Sequence, residues 1–248
     1  MTYCIGMNLD AGLVFLSDAR TNAGVDDLRS AGKMRTFGAD GERLLVTLSA
    51  GNLSLTQNVL NLLDQRARHE PDRPGLHNAR SMVDVAQLVG DCMREVRARD
   101  EAYLRARDID PTGSFIVGGQ IAGEAPRLFL VYSEGNFIES TPETPYFQTG
   151  ETRFGKPIID RVIVPGTSLH EASKCALVSM DSTMRANLSV GPPLDLLVYR
   201  RDSLGATIQR RLEETDPYLM TLQRQWNDAL RIALNALQPA PWLDDCDG

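Results

Sequence analysis

Thr2, Asp18, Arg20 and Lys33 stand in the opening stretch of the chain, and their types suit one kind of chemistry. Methionine ahead of a small residue is commonly excised, and loss of Met1 leaves Thr2 with both a side-chain hydroxyl and a free α-amine. Nucleophile and base then share one residue. An unperturbed α-amine titrates at about 7.7–8.0, so a modest downward push from a nearby lysine charge leaves it neutral and able to take the hydroxyl proton.

The elements that must position these groups begin with a hairpin. Tyr3 to Leu9 and Leu13 to Ser17 are rich in β-formers and flank Asp10-Ala11-Gly12, a turn sequence. With Ala11 at the centre, facing residues have numbers summing to about 22, which sets Thr2 opposite Arg20 and diagonal to Asp18 at roughly 5 to 8 Å. Hydroxyl, carboxylate and guanidinium are then expected on one face, beside the chain terminus.

Further extended segments are expected around Lys33 to Phe37 and Leu44 to Leu48. Beyond Gly51 the period changes: Leu55, Val59, Leu62 and Leu63 have helical spacing, and Ser81 with Asp84 opens a second helix striped by Val85, Leu88, Val89, Cys92, Met93 and Val96. Strands return at Ser114 to Val117, Arg127 to Tyr132 and Asn136 to Ile138, with Gly118-Gly119 and Glu134-Gly135 read as turns. A short helix follows Pro157, and Ser168 with Glu171 caps a longer one carrying Leu169, Ala172, Ala176, Met180 and Met184. Strands at Leu194 to Tyr199 and Ala206 to Arg211 precede a helix opened by Asp216 and Pro217. Strands, two helices, strands, two helices, strands implies an α+β fold: a four-layer αββα sandwich of two antiparallel sheets. Residues 1–248 are expected to form a single domain with a short acidic C-terminal tail from Trp242.

Composition narrows the function classes. A net charge of −7 argues against a nucleic-acid groove or an anionic membrane surface as partner, since both need clustered positive charge. No apolar run approaches the roughly 20 residues of a membrane span, and the start of the chain lacks a secretion signal, so a cytoplasmic location is expected. Cys4, Cys92, Cys175 and Cys246 lack CxxC spacing and read as free thiols; His69, His77 and His170 lack ligand spacing and read as surface residues. No metal or cofactor is expected. The doubly charged run Arg94 to Arg107 reads as a solvated helix face or a subunit contact.

The motifs T-Y-C-I-G-M, S-D-A-R-T-N, G-K-M, L-S-A-G, F-I-V-G-G-Q and Y-F-Q-T-G-E-T occur in this order. Together they resemble the proteasome beta-subunit type of N-terminal nucleophile hydrolase. T-N-A-G-V-D and R-A-N-L-S-V-G-P-P are most similar to its bacterial ancestral beta-subunit (Anbu) group. The resemblance implies Thr2 as nucleophile, Asp18 and Lys33 as the buried pair that tunes it, Arg20 as a brace of the strand end, and Gly51 as the backbone donor to the oxyanion. It further implies Thr21 and Asn22 at the border of the substrate channel, Ala31, Ser49 and Leu53 around a specificity pocket, and Ser189 in the supporting network. The substrate is then a peptide or other amide, and the chain self-associates into a ring-like or open helical homo-oligomer. With Met1 alone ahead of the threonine, maturation is expected to need methionine aminopeptidase.

Two positions depart from the family pattern. Glu151 stands where a serine is expected beside the threonine, and Asn187 stands where a carboxylate is expected, so the supporting network lacks that carboxylate. Two alternatives stay open: a weakly active or inactive scaffold of the same fold, and a non-peptidase amidase. Read singly, Thr2 is an ordinary terminal residue, Asp18 a strand-end turn former and Lys33 a solvated sheet-edge charge.

Overall fold

The computed structural model describes residues 1–22, 28–30, 32–70, 74–240 and 242. Its first hairpin comprises β1 (Tyr3–Leu9) and β2 (Gly12–Asp18), both almost wholly buried. Short strands β3 (Arg20–Asn22) and β4 (Leu28–Ser30) pair with each other, and β5 (Met34–Ala39) and β6 (Arg43–Gly51) form the next hairpin. Helices α1 (Leu53–His69) and α2 (Met82–Arg105) follow, then β7 (Gly113–Ile121), β8 (Arg127–Val131), β9 (Phe137–Glu139) and β10 (Tyr146–Gly150). The chain continues through α3 (Lys156–Val162), α4 (Leu169–Ala186), β11 (Leu194–Arg200), β12 (Ile208–Leu212) and α5 (Pro217–Asn235).

These strands build two five-stranded antiparallel sheets, ordered β10-β1-β2-β11-β12 and β5-β6-β7-β8-β9. Strand alternation gives each sheet two apolar faces. Between the sheets, Cys4, Leu13, Phe15, Leu197 and Tyr199 meet Val46, Leu48, Ile116 and Leu128. On the outer face of the first sheet, Ile5, Met7, Val14, Leu16 and Leu196 pack on α3, α4 and α5 through Ile159, Ala176, Met180 and Leu222. Leu45, Phe115, Val117 and Phe129 pack on α1 and α2 through Val59, Leu63, Val89 and Met93. The αββα sandwich follows from these three apolar layers.

Local chemistry sets the helix ends. Ser168 and Glu171 form a reciprocal capping box at α4, Ser81 caps α2 by accepting from the Asp84 N–H, and Asp216 caps α5 ahead of Pro217. The switch from β6 to α1 takes one intervening residue, Asn52, whose side chain caps α1 at Leu55. Gly51 permits it: its φ is +103° and a Cβ there would lie 2.5 Å from the Thr112 carbonyl oxygen.

Several expectations are corrected. Gly118-Gly119 is not a turn but lies inside β7; a Cβ on Gly118 would come within 2.8 Å of Phe15 and Leu128, so the glycine makes room for the packing of one sheet on the other. The strands β3, β4 and β10 were outside the pattern expected from alternation, being short or carrying polar residues. The first hairpin turns on Asp10-Ala11 alone, with Gly12 already in β2. Cys4, Cys92 and Cys175 are free thiols, whereas Cys246 and the tail beyond Trp242 lie outside the described residues. Among the described residues no helix is long and apolar enough to cross a membrane.

Candidate active site

The register of the first hairpin decides what meets the chain terminus. Its partners run from Cys4↔Ser17 to Leu9↔Gly12, numbers summing to 21 instead of about 22. A slip of one residue changes which side chains share a face. Asp18 therefore comes level with Tyr3, whose backbone N–H donates to Asp18 Oδ1 at 2.9 Å, and Arg20 is not Thr2's opposite number on this hairpin. The expected convergence on one hairpin face is replaced by a meeting of four segments.

Lys33 comes from the segment leading into β5. Its Nζ donates to Asp18 Oδ2 at 2.7 Å and to the Arg20 carbonyl oxygen at 2.8 Å. Lys33 is 5% exposed and Asp18 wholly buried, so Lys33 is not a solvated edge charge and Asp18 is not a surface turn former. Burial pushes the Asp18 carboxyl above its ordinary range, against the opposing pull of the Lys33 ammonium, the Tyr3 N–H and the positive charge at the amino terminus. The terminus is thus within electrostatic reach of the pair.

Thr2 is half-buried, with Met1 exposed ahead of it. The Thr2 carbonyl oxygen accepts the backbone N–H of Glu151 at 2.7 Å. Gly150, just before, has φ +86°, and a Cβ there would sit 2.0 Å from that same oxygen, so β10 approaches Thr2 this closely only with glycine at 150. On the other side, the Ser49 N–H donates to the Lys33 carbonyl at 3.1 Å, which lays the end of β6 beside Lys33 and carries the chain on to Gly51. Ser49 is buried, Gly51 is exposed, and Leu53 opens α1 at 37% exposure.

Arg20 turns to a different neighbour. Its Nη1 donates to the Leu188 carbonyl at 3.0 Å, and its guanidinium lies against Gly191, where a Cβ would meet Cζ at 2.5 Å. It ties β3 to the loop between α4 and β11. Ser189 in that loop donates its N–H to Asn187 Oδ1 at 3.0 Å. Thr21 and Asn22 lie in β3, paired with Arg29 and Leu28. Ala31 falls outside the described residues.

One grouping joins residues that no single motif brings together. The Glu151 carboxylate is bidentate to Arg153, at 2.8 and 2.9 Å, and accepts from Asn187 Nδ2 at 3.2 Å. Hydrogen bonds from Arg153 hold that carboxyl below its ordinary range, with Asn187 acting in the same direction. The two departures from the family pattern therefore touch each other, the amide at 187 donating to the carboxylate at 151.

The buried Lys33–Asp18 pair lies beside the backbone of Thr2 and Tyr3, and Gly51 is exposed at the end of β6. His69, His77 and His170 are exposed, and among the described residues no group of three or more His, Cys, Asp or Glu is placed to hold a metal ion.

No protein-family model and no curated protein matches the chain. Solved structures do. Anbu (ancestral beta-subunit) from Yersinia bercovieri is 46% identical, with 96% of this chain and 99% of that chain covered and a TM-score of 0.91. The helical assembly of the Anbu complex from Pseudomonas aeruginosa is similar at 51% identity, 97% and 98% coverage and a TM-score of 0.91. Anbu from Hyphomicrobium sp. strain MC1 is 45% identical over 96% of this chain and 99% of that chain, with a TM-score of 0.87.

Proposed function

The chain belongs to the Anbu family of ancestral beta-subunits, which have the proteasome-type N-terminal nucleophile hydrolase fold, and on that premise we propose that it is a threonine-type amide hydrolase whose nucleophile is Thr2 after removal of Met1. The observation that carries this reading is the buried Lys33–Asp18 pair, held against the backbone of Tyr3 directly beside the terminus. A buried ion pair is a poor source of stability for a sheet edge, and its position here suits electrostatic tuning of an amine.

The reaction then runs in two halves. The α-amine of Thr2 takes the hydroxyl proton as Oγ bonds to the amide carbon, and the carbonyl electron pair moves onto oxygen, where the Gly51 N–H donates to it. The tetrahedral species collapses, the C–N bond breaks and the ammonium passes its proton to the leaving amine. Water next attacks the threonyl ester, losing a proton to the amine, and the acid leaves as Oγ regains that proton. Lys33 lowers the amine pKa toward neutrality, and Asp18 holds Lys33 in place. Thr21 and Asn22 border the substrate channel, and Ala31, Ser49 and Leu53 shape the pocket for the side chain ahead of the cut. Peptides are the substrate class. Residues 1–248 act as one domain, in the cytoplasm.

Self-association into a ring-like or open helical homo-oligomer belongs to the same reading, supported by the helical assembly of the Pseudomonas aeruginosa relative. It is also supported by α5. Leu219 and Leu222 bury the start of this helix, whereas Leu230 and Leu234, one turn apart on one face, are 48% and 68% exposed. Fully burying a wholly exposed leucine contributes about 1.5–3 kcal/mol, and covering these two partly exposed ones contributes correspondingly less. Leu230→Glu with Leu234→Glu is expected to weaken assembly at least tenfold without altering the protomer's circular dichroism. Sedimentation velocity across a concentration series checks this, and unchanged sedimentation coefficients remove α5 from the interface.

Hydrolysis of a panel of fluorogenic peptide amides, by protein with and without Met1, tests the enzymatic reading. Turnover is expected only from the Met1-free form. Equal turnover by both, or none from a Met1-free protein of verified mass, contradicts it; the second result favours the scaffold alternative.

A further inference from the structure

The hydrogen bonds around the terminus close into a ring. The Tyr3 N–H donates to Asp18, Lys33 donates to both Asp18 and the Arg20 carbonyl, and Arg20 donates to the Leu188 carbonyl. The neighbouring Ser189 N–H donates to Asn187, Asn187 donates to Glu151, and the Glu151 N–H donates to Thr2. Glu151 is the member that closes it, because its side chain holds the 187–189 loop while its main chain holds the Thr2 carbonyl.

We propose that Glu151 is a positioning residue of the N-terminal site, coupling the loop after α4 to the backbone of Thr2 through Asn187. This rests on the reading of Thr2 as nucleophile for its catalytic consequence, though not for the coupling itself.

Burial and pairing argue for a built link. Glu151 is 3% exposed, covered by its neighbours, even though its ion-pair partner Arg153 has a side chain 74% exposed. The Arg153 fork satisfies one side of the carboxylate, leaving Oε2 to take the Asn187 amide as well. Asn187 is also the C-cap of α4, with its N–H on the Thr183 carbonyl, so the loop it orients starts from a fixed helix end. Gly150 removes the side chain that would hold β10 off Thr2. The backbone at Thr2 and Tyr3 is therefore gripped on one side by Asp18, at the Tyr3 N–H, and on the other by Glu151, at the Thr2 carbonyl. Misplacement of a reacting group by about 1 Å costs on the order of a hundredfold in rate, which is the scale at which a lost grip is felt.

The test uses full-length, Met1-free protein with Glu151→Ala, Glu151→Gln and Asn187→Ala, reading kcat and KM on a peptide amide together with residue-level amide exchange. Glu151→Ala is expected to lower kcat about ten- to a hundredfold, to change KM less than about threefold, and to speed exchange of the Ser189 and residue-151 amides at least tenfold. Glu151→Gln keeps an acceptor for Asn187 and is expected to recover most of the rate. Asn187→Ala leaves the Glu151–Arg153 pair intact, so it serves if Glu151→Ala fails to fold, with the same expected loss of kcat and faster exchange at Ser189. Turnover within twofold of wild type in both alanine variants overturns the proposal, as does unchanged exchange, or a Glu151→Gln protein as impaired as Glu151→Ala. If wild type shows no turnover, the hydrolase reading fails alone, and exchange still decides whether Glu151 couples the loop to Thr2.

Discussion

Thr2→Ala protein is expected to fold and assemble as wild type does and to lose hydrolysis by about 10⁴-fold or more, because one substitution removes the nucleophilic oxygen on which both halves of the reaction depend. The Thr2 backbone contact to Glu151 survives the change, since it uses only the carbonyl. Thr2→Ser keeps a hydroxyl on the same carbon and is expected to retain part of the activity. A chain that keeps Met1 should resemble Thr2→Ala in turnover, because the base has become an amide nitrogen that accepts no proton. Progress curves on one peptide amide at equal active concentration check the series. Wild-type rates from Thr2→Ala would remove the threonine from the mechanism.

Lys33→Ala is expected to have the next largest effect, on stability and turnover together. It strips the cation from a wholly buried carboxylate, and breaking a buried pair in this way costs about 3–5 kcal/mol at neutral pH. The pH dependence has a definite sign. Burial already lifts the Asp18 carboxyl, and loss of the ammonium lifts it further above the unfolded value near 3.9. A group whose folded pKa is raised favours the folded state below its unfolded pKa and loses that contribution as pH rises through the folded value. The deficit of Lys33→Ala relative to wild type should therefore be largest near pH 7–8 and shrink toward pH 4, as read by chemical denaturation. Adding Asp18→Asn is expected to restore much of the stability and none of the hydrolysis, which separates the structural part of the pair from the electrostatic one. A Lys33→Ala protein as active as wild type would leave the pair with a structural role only.

The fold was legible where local chemistry and periodicity agree. The Ser168–Glu171 capping box, the Asp216-Pro217 helix start and the α2 stripe each depend on neighbours a few residues apart, and each stands where expected. Glycine was harder to read, because it marks either a turn or a close approach. Gly12 and Gly119 have φ values of +141° and +151° within strands, and a Cβ on either would lie 2.0 Å from a carbonyl of the neighbouring strand. Reading Gly12 as part of the turn moved the hairpin register by one. That single shift placed Arg20 opposite Thr2, when Asp18 in fact reaches the Tyr3 N–H and Arg20 reaches the loop after α4.

The burial of Lys33 was not readable from spacing, since a lysine beside a short strand has the same sequence signature whether it faces water or a carboxylate. Nor was the Glu151–Asn187 contact, which joins residues on separate elements. Taken one at a time, both looked like losses from a family pattern; in space, the amide of one donates to the carboxylate of the other.

Intact mass spectrometry of the wild-type protein after exposure to an epoxyketone, with the adduct mapped by fragmentation, tests the central claim most directly. The reagent forms its ring only with a hydroxyl and an amine on the same residue. The expected result is loss of Met1, a single adduct mapped to Thr2, and no adduct on Thr2→Ala or on chains that retain Met1. A Met1-free wild type that stays unlabelled while hydrolysing peptides, or an adduct mapped to any other residue, contradicts it.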